Sequence, residues 1–188
     1  MNASHNHREL LQAELLARPV GAAAQADPLR SVLVSMVVGR SLNLGVLSAT
    51  LGLPLATFQT LWQDYFDGDT LWLEDGPGEA IVEQEDLQNL LLEYRAHRIE
   101  SEVWLAQIVA YGCSGRDHLW QDLGLANRGE LSLLMTTAFP ALAALNTGDM
   151  KWKKFLYRHY CSREGIYVCP APSCGECADH AKCFGKEE

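Results

Sequence analysis

The sequence predicts an all-α fold, a helical bundle-like body followed by an irregular, cysteine-rich C-terminal loop. Three observations carry that expectation. Apolar residues recur at helical spacing through most of the chain, no stretch alternates as a half-buried strand does, and four of the six cysteines crowd into a segment broken by Pro170, Pro172 and Gly175.

Residues 8–18 place Leu10, Leu11, Leu15 and Leu16 near one face of a first helix that Pro19 ends, and residues 21–26 read as a connector. Asp27-Pro28 opens the next helix, over 28–42. The carboxylate accepts from free backbone donors, and proline costs little where no intrahelical donor is needed. Its Val, Leu and Met content marks it as buried. Residues 44–66 read as two short helices, 44–51 and 55–66, hinged at Gly52-Leu53-Pro54, with Phe58, Leu61, Trp62 and Phe66 as core. A DNA-reading pair of helices is disfavoured, because the second has no Arg or Lys to meet phosphates or base edges.

Residues 67–78 are acidic and glycine-rich and read as a loop, with a short extended piece at 71–73. The longest helical signal covers 83–111 and stops at Gly112. Short helices follow over 116–123, 130–138, 141–145 and 149–163, the last closed by Gly165. On its final helix Trp152, Phe155, Leu156 and Tyr160 share a side that would dock on the body. The expected organisation is a helical body over 1–148 and a basic helix with a metal-binding tail over 149–188, packed together as one domain.

Composition is that of a soluble globular protein, 48% hydrophobic and 21% charged, without an uninterrupted apolar run of membrane-spanning length. The N-terminus lacks a basic patch followed by an apolar stretch, so a cytoplasmic protein is expected. Thiols there stay reduced, which favours metal ligation or burial for the cysteines over disulfides. Residues 1–150 hold 8 Lys/Arg against 19 Asp/Glu, and residues 151–188 hold 7 against 5. An acidic body repels nucleic-acid phosphates and suits a solvated surface or a basic protein partner.

The chemistry-bearing pattern is Cys169-x4-Cys174-x2-Cys177-x5-Cys183. Thiolates so close in sequence, joined by turn-forming residues, can converge on one metal centre. An iron–sulfur cluster, a structural zinc and a redox dithiol at Cys174 and Cys177 all fit. The lack of a long element between ligand pairs favours the cluster over zinc. Lys151, Lys153, Lys154, Arg158 and Arg163 precede the motif. They can offset cluster charge, attract a tetrahedral oxyanion or form a solvated face. There is no Walker-type phosphate loop and no dinucleotide fingerprint, so a conventional enzyme is disfavoured.

The string Met150-Lys-Trp-Lys-Lys-Phe-Leu-Tyr-Arg158, then Cys161 and the four-cysteine segment, resembles the NifQ family of nitrogen fixation. So do Gly112-Cys-Ser-Gly-Arg-Asp-His-Leu-Trp-Gln-Asp-Leu-Gly-Leu125, Leu131-Ser-Leu-Leu-Met135 and Phe139-Pro140. The resemblance covers roughly residues 112–184. It implies a cytoplasmic iron–sulfur protein that binds molybdenum and donates it for synthesis of the nitrogenase iron–molybdenum cofactor, a carrier and not an enzyme. The implied partners are the nitrogenase iron protein NifH and the scaffold NifEN. The implied cluster and metal ligands are Cys169, Cys174, Cys177 and Cys183. Cys113, His118 and Cys161 are further candidates, each weighed against plain packing, as is His180 inside the motif. His159 reads as a helix-terminal surface residue.

Overall fold

The computed structural model describes residues 3–68 and 83–165, and within them the regular structure is entirely α-helical. In chain order the helices are α1 (Ala3–Ala17), α2 (Ala22–Ala26), α3 (Arg30–Ser41), α4 (Leu55–Tyr65), α5 (Gln84–Glu93), α6 (Ser101–Gly112), α7 (Leu119–Asp122), α8 (Arg128–Ala138), α9 (Pro140–Leu145) and α10 (Trp152–Arg163). The four-cysteine segment and the expected extended piece at 71–73 lie outside the described residues.

Helix α3 is the centre of the core. Val32, Leu33, Val34, Met36, Val37 and Val38 leave at most 1% of their surface exposed, as expected of a helix apolar on all sides. Helix α1 packs on it, and so does α8. Of the four leucines read as one face of α1, Leu15 is buried and Leu11 half-buried, whereas Leu10 and Leu16 face solvent. The polar contribution of α1 is larger: buried Arg8 donates to Ser35 Oγ at 2.8 Å and to the Gly124 carbonyl at 2.7 Å. Ser35 Oγ in turn donates to Glu130 Oε2 at 2.6 Å. A Cβ on Gly39 would stand 2.0 Å from the Gly124 carbonyl oxygen, so glycine is what lets α3 run against the turn between α7 and α8.

Two expectations for the helices are corrected. Residues 44–51 form turns and not a helix. Asn43 and Leu51 join Gly45 and Gly52 at positive φ. The Ser48 hydroxyl accepts from the Gly52 N–H at 2.9 Å, and Thr50 Oγ1 donates to the Leu53 carbonyl at 2.7 Å, so hydroxyls take up the backbone partners a helix needs. The long signal over 83–111 is two helices, α5 and α6, packed on each other. Between them His97 adopts φ +57°, and the Ala96 N–H leaves for the Ala138 carbonyl at 2.8 Å. Fully buried Glu102 holds the bend by accepting from the backbone N–H groups of His97, Arg98 and Ile99 at 2.7, 3.0 and 3.2 Å. The expected connector at 21–26 contains the short α2, and Asp27 accepts from the Leu29 N–H at 2.7 Å and from the Tyr65 hydroxyl at 2.6 Å.

The core expected from Phe58, Leu61, Trp62 and Phe66 is present, each at most 2% exposed. No helix of the described residues is long and apolar enough to cross a membrane.

Candidate functional site

Helix α10 leads to the cysteine segment, so its anchoring comes first. Asn146 fixes its approach through two bonds to Met150: the amide Nδ2 donates to the Met150 carbonyl at 2.8 Å, and Oδ1 accepts from the Met150 N–H at 2.9 Å. Trp152, Phe155 and Leu156 are then buried and Tyr160 is half-buried. The helix lies against α5. At its far end Arg163 Nη1 meets Glu93 Oε2 at 2.8 Å. Gly165, at φ +69°, follows the last turn as read from the sequence.

His159 departs from the surface position expected of it. It is half-buried, stacked on Phe155 with centroids 5.7 Å apart, and its Nε2 lies 3.2 Å from the Tyr94 hydroxyl. Burial, then the Arg163 charge, lower its pKa from the ordinary histidine value. The helical repeat places His159 four residues after Phe155, a spacing that signals this stack.

The first turn of α10 meets the loop from α6 to α7. Lys153 forms an ion pair with Asp122, whose side chain is almost wholly buried. A Cβ on Gly115 would sit 2.2 Å from the Asp122 carboxyl carbon, so the loop crosses over that carboxylate only because residue 115 is glycine. Arg116, Asp117 and His118 of this loop, with Lys151, Trp152 and Lys154, line an open cleft of about 310 Å³ beside the pair. His118 is half-buried, and its backbone N–H donates to Gln121 Oε1 at 3.1 Å, starting α7. Sequence reasoning missed Asp122 as an internal partner, since nothing in its spacing distinguishes it from a surface acid.

The sequence-derived ligand candidates fall as follows. Cys169, Cys174, Cys177, Cys183 and His180 lie outside the described residues. Cys113, just after α6, is 5% exposed within the hydrophobic core. Burial pushes its thiol up to about 12, against the opposing influence of the Lys153 charge. Cys161 is half-buried in the last turn of α10, and both thiols are free. His118 faces the cleft. Among the described residues no three His, Cys, Asp or Glu side chains are grouped closely enough to hold a metal ion.

Helical body, basic terminal helix and following cysteine motif define a class of all-α protein with a thiol-rich tail. The NifQ family model matches residues 29–185. Protein NifQ of Azotobacter vinelandii is 49% identical over 105 residues, 56% of this chain and 54% of that protein. The NifQ homolog of Sinorhizobium fredii is 44% identical over 115 residues, 61% of this chain and 48% of its own length. Protein NifQ of Rhodobacter capsulatus is 37% identical over 169 residues, 89% of this chain and 93% of that protein. The chain thus matches about half the length of the first two relatives and nearly all of the third. No solved structure matches. The chain belongs to the NifQ family, which places it among the proteins of nitrogen fixation.

Proposed function

We propose that this chain is an iron–sulfur protein that binds molybdenum and donates it for synthesis of the nitrogenase iron–molybdenum cofactor, acting as a carrier and not an enzyme. The observation that carries this reading is the position of Cys169-x4-Cys174-x2-Cys177-x5-Cys183, which begins four residues beyond Gly165 at the end of the anchored α10. The donor set fits the cargo: four soft thiolates suit iron–sulfur chemistry and a sulfur-bound heterometal. In this reading Cys169, Cys174, Cys177 and Cys183 hold the cluster, one of them at an exchangeable corner where molybdenum enters and leaves. NifH and NifEN are the recipients.

The test is anaerobic purification followed by analysis for iron, sulfide, molybdenum and zinc, with electron paramagnetic resonance on the same sample. Iron and sulfide together, with molybdenum that passes to NifH or NifEN, are the expected result. Alanine at any one motif cysteine should lower iron or molybdenum occupancy. Stoichiometric zinc without iron, from iron-replete cells, would overturn the reading in favour of a zinc-stapled module. A reversible cluster that never takes up molybdenum would point to electron transfer instead.

A further inference from the structure

The buried side chains of α10, Trp152, Phe155 and Leu156, all lie before residue 157. The rest of the helix carries the chain toward the cysteine segment and is fastened differently. Its far turn meets one face of α5, on which Asp86, Glu93 and, just past the helix end, Tyr94 recur at helical spacing. The Tyr160 hydroxyl donates to the Asp86 carboxylate. Arg163 Nη1 donates to Glu93 Oε2 at 2.8 Å, and the guanidinium carbon stands 6.0 Å from the centre of the Tyr94 ring. The Tyr94 hydroxyl lies 3.2 Å from His159 Nε2.

Two features make this a weak joint. The side chains of Arg163 and Glu93 are 38% and 55% exposed, so water and salt screen the pair. The two helices are also not close packed there, because Asp86 and Glu93 stand with Tyr160 and Glu164 around an open cleft of about 190 Å³. A stretch held by exposed polar contacts, with few buried apolar ones, opens locally at low cost. Phe155 and Leu156 keep the first half of the helix seated when it does.

We infer that Asp86, Glu93 and Tyr94 are positioning residues for the metal loop: they close a salt-sensitive joint that fixes the last turn of α10, residues 159–164, and with it the root of the cysteine segment. With the joint closed, the segment is tethered to the body at Gly165. With it open, the last turn frays, the tether moves back to Tyr157, and the segment gains reach toward an acceptor. The joint stands on the contacts between α5 and α10 alone. Its bearing on metal release rests on the function proposed above.

The test is peptide-level hydrogen exchange on the full chain at low and high ionic strength, with iron release from the anaerobically prepared protein to a ferrous chelator measured alongside. Glu93→Ala/Tyr160→Phe and, independently, Arg163→Gln should each speed exchange over 159–164 about fivefold, the factor that loss of a weak surface contact corresponds to, while exchange over 155–158 and the urea midpoint stay as in wild type. Salt should speed exchange over 159–164 in wild type and leave Arg163→Gln unaffected. Arg163→Lys, which keeps the charge, should stay within about twofold of wild type. Iron release should follow the same order at equal starting iron content. Wild-type exchange over 159–164 in both variants, or exchange raised along the whole of α10, would overturn the joint. Faster exchange with unchanged iron release would overturn its role in positioning the metal loop. A wild-type chain that holds no iron but shows the expected exchange would sink the cluster reading and leave the joint standing.

Discussion

Lys153 of α10 is ion-paired with Asp122 of α7, and the aspartate side chain is 2% exposed against 17% for the lysine. Removing one partner of such a pair leaves a charge stranded in a poorly solvated site, and that loss outweighs the net worth of the pair itself. Lys153→Met should therefore destabilise the chain by about 3 kcal/mol in urea unfolding. Lys153→Met/Asp122→Leu should recover part of that loss, because no isolated charge remains. A cost below about 1 kcal/mol for Lys153→Met would show that Asp122 finds another partner or water.

Acid should weaken the fold through His159. Its pKa is lowered in the folded chain from the ordinary 6.5, so below that pH the unfolded chain binds more protons than the folded one. Stability then falls as pH drops from about 6.5 through the lowered value, and the loss is complete below both. The groups facing the ring are Tyr94, Phe155, Arg163 and Glu93. Midpoints of urea unfolding between pH 7.5 and 5 should drop less for His159→Gln than for wild type. Parallel pH profiles would remove His159 from the account.

The two thiols among the described residues should differ in reactivity. With its pKa at about 12, on the order of one Cys113 thiol in ten thousand is ionised at pH 8, and it is buried as well. Iodoacetamide should modify Cys113 only under unfolding conditions, whereas half-buried Cys161 should be modified in the native protein. Peptide-level mass spectrometry after short native exposure checks this. Equal native rates at both positions would contradict the buried placement of Cys113.

Apolar spacing foretold the elements that depend on burial alone. The α3 run of Val, Leu and Met, the Phe58 to Phe66 cluster, and the Trp152, Phe155 and Leu156 face of α10 all occupy the core. What the spacing missed depends on polar atoms far apart in sequence. The break between α5 and α6 contains neither Gly nor Pro, and it is held by a carboxylate that a sequence reader takes for a surface acid. The turns over 44–51 arise from Ser48 and Thr50 acting on the backbone. At the candidate site the lysines were visible as a basic run, but their convergence with Arg116 and Trp152 needs the tertiary contact of α10 with the loop before α7. Asp122 became recognisable only as the partner of Lys153.

Arg8 extends this dependence to the start of the chain. The family match begins at residue 29, yet one guanidinium of α1 is bonded to Ser35 on α3 and to Gly124 in the turn that follows the Asp122 helix. The start of the family-model match and the start of the mechanical unit therefore do not coincide. A helix outside the span of the family model thus ties α3 to the turn that ends α7, the helix of the Asp122 partner of Lys153, so loss of the Arg8 guanidinium loosens the support of that pair.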